Sequence, residues 1–136
     1  MIEVKGAMPT RGSELATGYD LKVDVDSTIK PHQVKLIDTQ TSISLPPETI
    51  CLAIPRSSIY KTGLILANSI GLIEPDNRGV IRLALHNLTD KPVTVKKGDR
   101  LAQLVFVKEY SPHFEPVEMF SVETERGEKG YGSIGR

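Results

Sequence analysis

Short apolar runs that alternate with polar residues, broken every few positions by turn chemistry, constrain this chain more than anything else in it. Leu21, Val23 and Val25 alternate with Lys22, Asp24 and Asp26, and Ile81, Leu83 and Leu85 alternate with Arg82, Ala84 and His86. Successive side chains on a strand point to opposite faces, so such a run buries one face and wets the other. Residues 1–4, 34–39, 41–45, 50–54, 64–67, 71–73, 92–95 and 101–107 are further extended candidates. Lys30-Pro31-His32, Pro46-Pro47 and Lys96-Lys97-Gly98-Asp99 punctuate them as turns. Residues 57–61 suggest one helical turn, with Ser57 placed as its cap. No segment carries a convincing amphipathic helical period. The expected fold is all-β: a single-domain jelly-roll-like sandwich or barrel.

Composition narrows the partners. A chain of 136 residues is one domain of ordinary size. Lys plus Arg and Asp plus Glu are 17 each. The zero formal charge argues against non-specific binding to nucleic acid or to a membrane surface. The single cysteine, Cys51, cannot close an internal disulfide. Ile50 and Leu52 beside it suggest a buried structural thiol, and an intracellular setting, cytoplasm or nucleus, is expected. No apolar run approaches the ~20 residues of a membrane span, and Met1-Ile2-Glu3-Val4-Lys5 contains no signal-peptide core. From Thr124 onward four glycines occur in a short stretch. The expected division is a β domain over 1–123 and a glycine-rich arm over 124–136.

Several stretches offer chemistry, each with a plainer reading beside it. Gly71-Leu72-Ile73-Glu74-Pro75-Asp76-Asn77-Arg78-Gly79, set between two apolar runs, reads as a hairpin with Glu74 and Asp76 at its mouth. It would hold a small polar ligand or be a solvated loop. Pro55-Arg56-Ser57-Ser58 puts a guanidinium and two hydroxyls after a buried strand, suiting an anion or an ordinary cap. Gln103 lies inside an apolar strand and must find partners, either structural or a phosphate. Asp20 is an edge charge or a metal-shell carboxylate. Arg126, Tyr131 and Ser133 offer a cation, an aromatic plate and a hydroxyl on an arm that is otherwise a frayed tail.

Taken in order, Ala16-Thr17-Gly18-Tyr19-Asp20-Leu21, the two stretches from Pro55 and from Gly71, Gly98-Asp99-Arg100-Leu101-Ala102-Gln103-Leu104 and the arm from Arg126 to Gly135 resemble the five motifs of the trimeric dUTPases. The resemblance spans residues 11–136. It implies a jelly-roll homotrimer whose three active sites are each built by three subunits. It implies Mg²⁺-dependent hydrolysis of dUTP to dUMP and pyrophosphate by water attack on the α-phosphorus, with no covalent nucleophile. By the same resemblance Gly71, Leu72 and Ile73 belong to a uracil-holding segment that reads the base edge through backbone. Asn68 contacts uracil, and Arg82 lies near base and sugar. Arg56, Ser57, Ser58 and Gln103 take phosphates. Arg126 clamps the γ-phosphate, Tyr131 stacks on uracil, and Gly132 and Ser133 complete the phosphate contacts. Asp20 touches Mg²⁺ through water, and Glu74 stands where the general base belongs. Three positions depart from the family pattern: Glu74 replaces Asp, Asn77 replaces a Tyr beneath the deoxyribose, and Ser58 stands where Gly is commoner. Those departures keep a non-catalytic binding or regulatory protein on the same fold as an alternative, and a dCTP deaminase relative is a further one.

Overall fold

The computed structural model describes residues 1–132 and 135. Among the described residues eleven strands follow in chain order: β1 (Glu3–Gly6), β2 (Tyr19–Leu21), β3 (Ser27–Ile29), β4 (Val34–Asp38), β5 (Thr41–Ser44), β6 (Thr49–Pro55), β7 (Leu64–Leu66), β8 (Gly71–Ile73), β9 (Arg82–Asn87), β10 (Val93–Val95) and β11 (Ala102–Lys108). One 3₁₀ turn, Ser57–Lys61, joins β6 to β7. The expected all-β class holds, and the architecture is jelly-roll-like.

Four sheets share one core. The largest runs β2-β11-β6-β8, and a second runs β4-β9-β7; β1 pairs with β5 and β10 with β3. All ladders are antiparallel. The longest, β6 on β11, runs from Ala102 opposite Pro55 to Lys108 opposite Thr49. Alternation along these strands sends Leu21, Ile37, Leu64, Leu85 and Leu104 inward, each at most 2% exposed. Each such side chain contributes about 1.5–3 kcal/mol of burial. Cys51 is fully buried opposite Ile73 and Phe106, and burial pushes its thiol from 9.0 to about 12. Buried Asn87 is satisfied on both ends. Its Nδ2 donates to the carbonyls of Ile29 (2.9 Å) and Lys91 (2.7 Å), and its Oδ1 accepts from the Thr89 N–H.

Three local expectations fail. The alternation at 21–26 is not one strand: β2 stops at Leu21, Val23 makes a single bridge to Thr39, and Val25 is 44% exposed. Ser57 is not the cap of the short helix. Arg56 holds that position, without a side-chain cap bond. Most consequential, the runs on either side of Glu74–Gly79 do not form a hairpin. β8 pairs with β6, whereas β9 pairs with β4 and β7, so the chain crosses from one sheet to the other through the turn.

Candidate active site

That crossing creates a cavity. Because β9 leaves for the second sheet, no described strand pairs the outer edge of β8, and every other backbone N–H and C=O of Gly71–Ile73 lacks a ladder partner there. A cavity of about 430 Å³ opens beside it, between the two sheets. Its apolar wall is Ile43, Ile73 and Ile81, and its polar wall includes Asn68, Asn77 and Arg82. Gly71 is needed for close approach: a Cβ there would sit 3.3 Å from the Ala53 Cβ and 3.5 Å from the Asn68 Nδ2. The Arg82 Nε pairs with the Asp38 Oδ1 at 3.2 Å across the β4–β9 ladder. An unpaired strand edge offers alternating donors and acceptors in a plane. A flat heterocycle with its own donor and acceptors on one edge matches that better than an aliphatic ligand does.

The turn that forms one rim is tied down by its own residues. The Asn77 N–H donates to the Glu74 carbonyl (3.1 Å), and the Gly79 N–H donates to the Asn77 Oδ1 (2.9 Å). Arg78 folds back so that its guanidinium donates to the carbonyls of Pro75 and Asn77. Leu72 and Glu74 are exposed and share a face by strand parity, while Ile73 between them points inward. Glu74 itself is not among the cavity-lining residues. It faces a neighbouring depression of about 440 Å³ with Ile50, Leu72, Pro75, Asp76 and Glu109, and Leu72 borders both hollows.

A second cluster gathers at the other side of the large sheet. Asp20 on β2 lies opposite Gln103 on β11, and Gln103 lies opposite Ile54 on β6. Asp20 is 6% exposed, and two guanidiniums hold its carboxylate: the Arg56 Nε at 3.1 Å from Oδ1 and the Arg100 Nη1 at 3.6 Å from Oδ2. Arg56 also donates through Nη1 to the Arg100 carbonyl (3.2 Å). The Gln103 side chain donates to the Pro55 carbonyl (3.2 Å), and its Oε1 fills the space above Gly18, where a Cβ would come within 1.9 Å. The two arginines are 29% and 46% exposed, so each turns part of its donor fork to solvent. Ser57 and Ser58 follow at the start of the 3₁₀ turn, exposed and half-buried. One carboxylate fixing two guanidiniums beside hydroxyls and an amide is a ready receiver for phosphate oxygens.

The structure thus brings part of the expected set together in two groups, and Glu74, Arg126, Tyr131 and Gly132 join neither among the described residues. Asn68, Gly71, Leu72, Ile73, Asn77 and Arg82 line the cavity, and Asp20, Arg56 and Gln103 share the charged cluster with Ser57 and Ser58 beside it. Arg100 and Gly18 belong to that cluster and were not singled out individually by sequence reasoning. Their signal lay in neighbouring motif residues, whose cross-strand registers show them only in the fold. After β11 the backbone of Glu109 donates to the Glu48 carbonyl, and residues 110–132 make no hydrogen bond to the strands among the described residues. Tyr110, Phe114, Met119, Phe120 and Val122 on that stretch are 75–90% exposed, and Arg126, Tyr131 and Gly132 are exposed in turn. Ser133 lies outside the described residues.

Comparison with known proteins shows the family. The family model described as dUTPase matches residues 4–135. The deoxyuridine 5'-triphosphate nucleotidohydrolase of Actinobacillus pleuropneumoniae is 41% identical over 133 residues, covering 95% of this chain and 87% of that protein. The protein of the same name from Haemophilus influenzae is 38% identical over the same shares. Among solved structures, the dUTPase of Staphylococcus bacteriophage 80alpha with dUPNHPP superposes with a TM-score of 0.91 at 25% identity, covering 100% of this chain and 99% of that one. The Streptococcus mutans dUTPase superposes at 0.76 with 28% identity, over 82% and 98%.

Proposed function

This chain belongs to the dUTPase family, and from that premise we propose that it hydrolyses dUTP to dUMP and pyrophosphate as a homotrimer with shared active sites. The observation that carries the reading is the unpaired edge of β8 beside a 430 Å³ cavity, together with the paired guanidiniums of Arg56 and Arg100. Uracil presents two carbonyl oxygens and one N–H along its pyrimidine edge, which pair with the strand's N–H and C=O groups. Arg56, Arg100, Ser57, Ser58 and Gln103 take the phosphate chain.

The reaction then needs positioning and charge neutralisation more than covalent chemistry. Water attacks the α-phosphorus. A new phosphorus–oxygen bond forms as the bond to the bridging oxygen of the β-phosphate breaks, and pyrophosphate carries off the electron pair. Glu74 takes the water proton. Arg126 and Tyr131 of the arm cover the phosphates and the base of the closed site and exclude bulk water. A magnesium ion fits the donor set here as an ion held chiefly by substrate phosphates and water. No group of three or more His, Cys, Asp or Glu is gathered among the described residues, and the Asp20 carboxylate keeps lone pairs beyond those facing its two arginines. Such an ion would offset charge on the triphosphate, and Asp20 would be the residue that holds its water.

Sharing of sites between copies is supported by two unpartnered surfaces. On the outer face of the β4-β9-β7 sheet, Val34, Leu36 and Ile65 are 42–61% exposed. Their registers place them around Ala84 and His86, on the face that continues into the Arg82–Asp38 pair at the cavity. Large exposed apolar faces on one chain mark association, and two further copies cover this one and the apolar stretch after Lys108. Pyrophosphate release from dUTP with Mg²⁺, measured beside sedimentation equilibrium, tests the proposal. Turnover by a trimer is expected; an active monomer refutes the shared site, and a trimer that releases no pyrophosphate refutes the hydrolase.

A further inference from the structure

The outer face of the β4-β9-β7 sheet carries an ionisable side chain in the middle of its apolar patch. Strand parity sends Arg82, Ala84 and His86 of β9 to this face and Leu83, Leu85 and Asn87 into the core. His86, half-buried, lies opposite Val34 on β4 and opposite Ile65 on β7. Leu36 lies opposite Ala84, and Leu88, also exposed, follows two residues after His86. The charged groups around this patch stand at its two ends, and each has a partner. Asp38 holds Arg82 at 3.2 Å at one end, and His32 meets Asp90 at 2.8 Å at the other. β7 brings only Leu64, Ile65 and Leu66. Lys35 on β4 points the other way, its Nζ donating to the Thr28 carbonyl at 3.4 Å. His86 is in no ion pair among the described residues.

We infer that this face is a contact between copies of the chain and that His86 is its proton-operated release: the copies hold together while His86 is neutral and separate when it is protonated. The inference rests on the homotrimer proposed above and adds its regulation. Two observations make a second copy the occupant. Among the described residues the base cavity and the Asp20 cluster share no lining residue, so one chain does not gather base and phosphate groups in a single hollow. The face also carries no net charge while His86 is neutral, and a chain of zero formal charge approaches it without repulsion. Covering Val34, Leu36 and Ile65 takes the imidazole out of water with them. A neutral ring bears that. An imidazolium in apolar surroundings does not, because the carboxylates at either end are already engaged. Protonation therefore favours separated copies. Association is full above about pH 6.5, where histidine ordinarily titrates, and is lost as the pH falls below it. Each imidazole that gains a proton on separation weakens assembly about tenfold per pH unit. Three in a trimer give up to about a thousandfold in the assembly constant, or about thirtyfold in the concentration of half-assembly, which enters as its square.

The test is sedimentation equilibrium between about pH 8 and about pH 5.5, a range in which histidine is the side chain that ordinarily titrates. Far-UV circular dichroism at each pH checks that the fold persists. The parent, His86→Gln and His86→Phe are measured beside His32→Gln and His113→Gln, which remove the chain's other two histidines. The parent is expected to be a trimer at the alkaline end and to dissociate toward the acid end with the steepness given above. His86→Gln, which takes no proton, should lose that dependence, and His86→Phe should stay assembled throughout. His32→Gln and His113→Gln should keep the dependence of the parent. A parent whose assembly constant is unchanged at the acid end overturns the inference and leaves the trimer standing. A dependence that survives in both His86 variants, or vanishes in either control, overturns it too. A parent that is monomeric at the alkaline end refutes the homotrimer and the inference with it. If the His86 variants do not fold, acylation of the parent by diethylpyrocarbonate at neutral pH decides alone. His86 is expected to be protected at trimer concentrations and reactive on dilution, with His32 reactive at both. Equal reactivity of His86 at both concentrations overturns the inference.

Discussion

Replacing Asp20 with Ala removes the carboxylate that fixes Arg56 and Arg100. Two opposing effects follow. Without Asp20 the cluster passes from two cations and one anion to two cations, which by itself attracts phosphate more strongly. Yet both guanidiniums lose the partner that aims them, Arg56 at 3.1 Å and Arg100 at 3.6 Å. Near the surface, one charge removed at several ångströms is worth about 1 kcal/mol after screening, whereas losing a fixed geometry costs up to a hundredfold in rate. Orientation therefore wins, and nucleotide affinity should fall roughly tenfold. Stability falls too. Breaking a buried pair costs ~3–5 kcal/mol when the orphaned charge stays buried. Here the arginines are 29% and 46% exposed and can rehydrate, so roughly 1–3 kcal/mol is expected. With a urea slope of about 2 kcal/mol per molar, the midpoint should drop by roughly 1 M. The assays are urea denaturation at one fixed protomer concentration and calorimetric binding of the α,β-imido dUTP analogue in EDTA and in Mg²⁺. An affinity loss present already in EDTA, and larger with Mg²⁺, matches a carboxylate that orients the two cations and also reaches the ion's water. Tighter binding by the variant, or a loss seen only with Mg²⁺, would refute the reasoning.

Three further outcomes are expected. Gly18→Ala should displace Gln103, whose Oε1 would lie 1.9 Å from the new Cβ; KM should rise several-fold while melting changes little, because the displaced group is the end of a flexible side chain. Glu74→Gln should abolish most single-turnover hydrolysis while analogue binding persists, since the amide keeps the shape and loses the base; a rate equal to the parent removes Glu74 from that role. The Cys51 thiol is raised from 9.0 to about 12. Its folded state holds the proton that the unfolded chain gives up, so this stability is full below about pH 9 and is lost as pH rises toward 12, by about 1.4 kcal/mol per unit. Equilibrium denaturation across that range, compared with Cys51→Ala, should show the slope only in the parent.

Much of the fold was legible because alternation is a local signal. Ile81, Leu83 and Leu85 are buried as their spacing says. What alternation cannot state is which strand lies alongside. The residues around Glu74–Gly79 carry every mark of a hairpin turn, yet β8 and β9 belong to different sheets because each finds longer apolar partners elsewhere. Val25 alternated correctly and was still left exposed, since β2 ends at Leu21. The site divides along the same line. Arg56, Gln103 and Asp20 were visible as chemistry, but Arg100 joins them only through its contact with Asp20 in the fold. Gly18 matters only for the volume Gln103 occupies. Glu74 was visible as a carboxylate, but only the fold shows which hollow it borders.

The bare edge of β8 has one more consequence. A row of unpaired backbone groups that welcomes a heterocycle is equally open to a strand from another chain, the first step of edge-to-edge aggregation. Three features blunt that risk here. The strand is only three residues long, Pro75 forbids its extension with a further donor, and Glu74 places a charge where a fourth rung would begin. An incoming strand would find too few rungs to hold, whereas a base needs only one set.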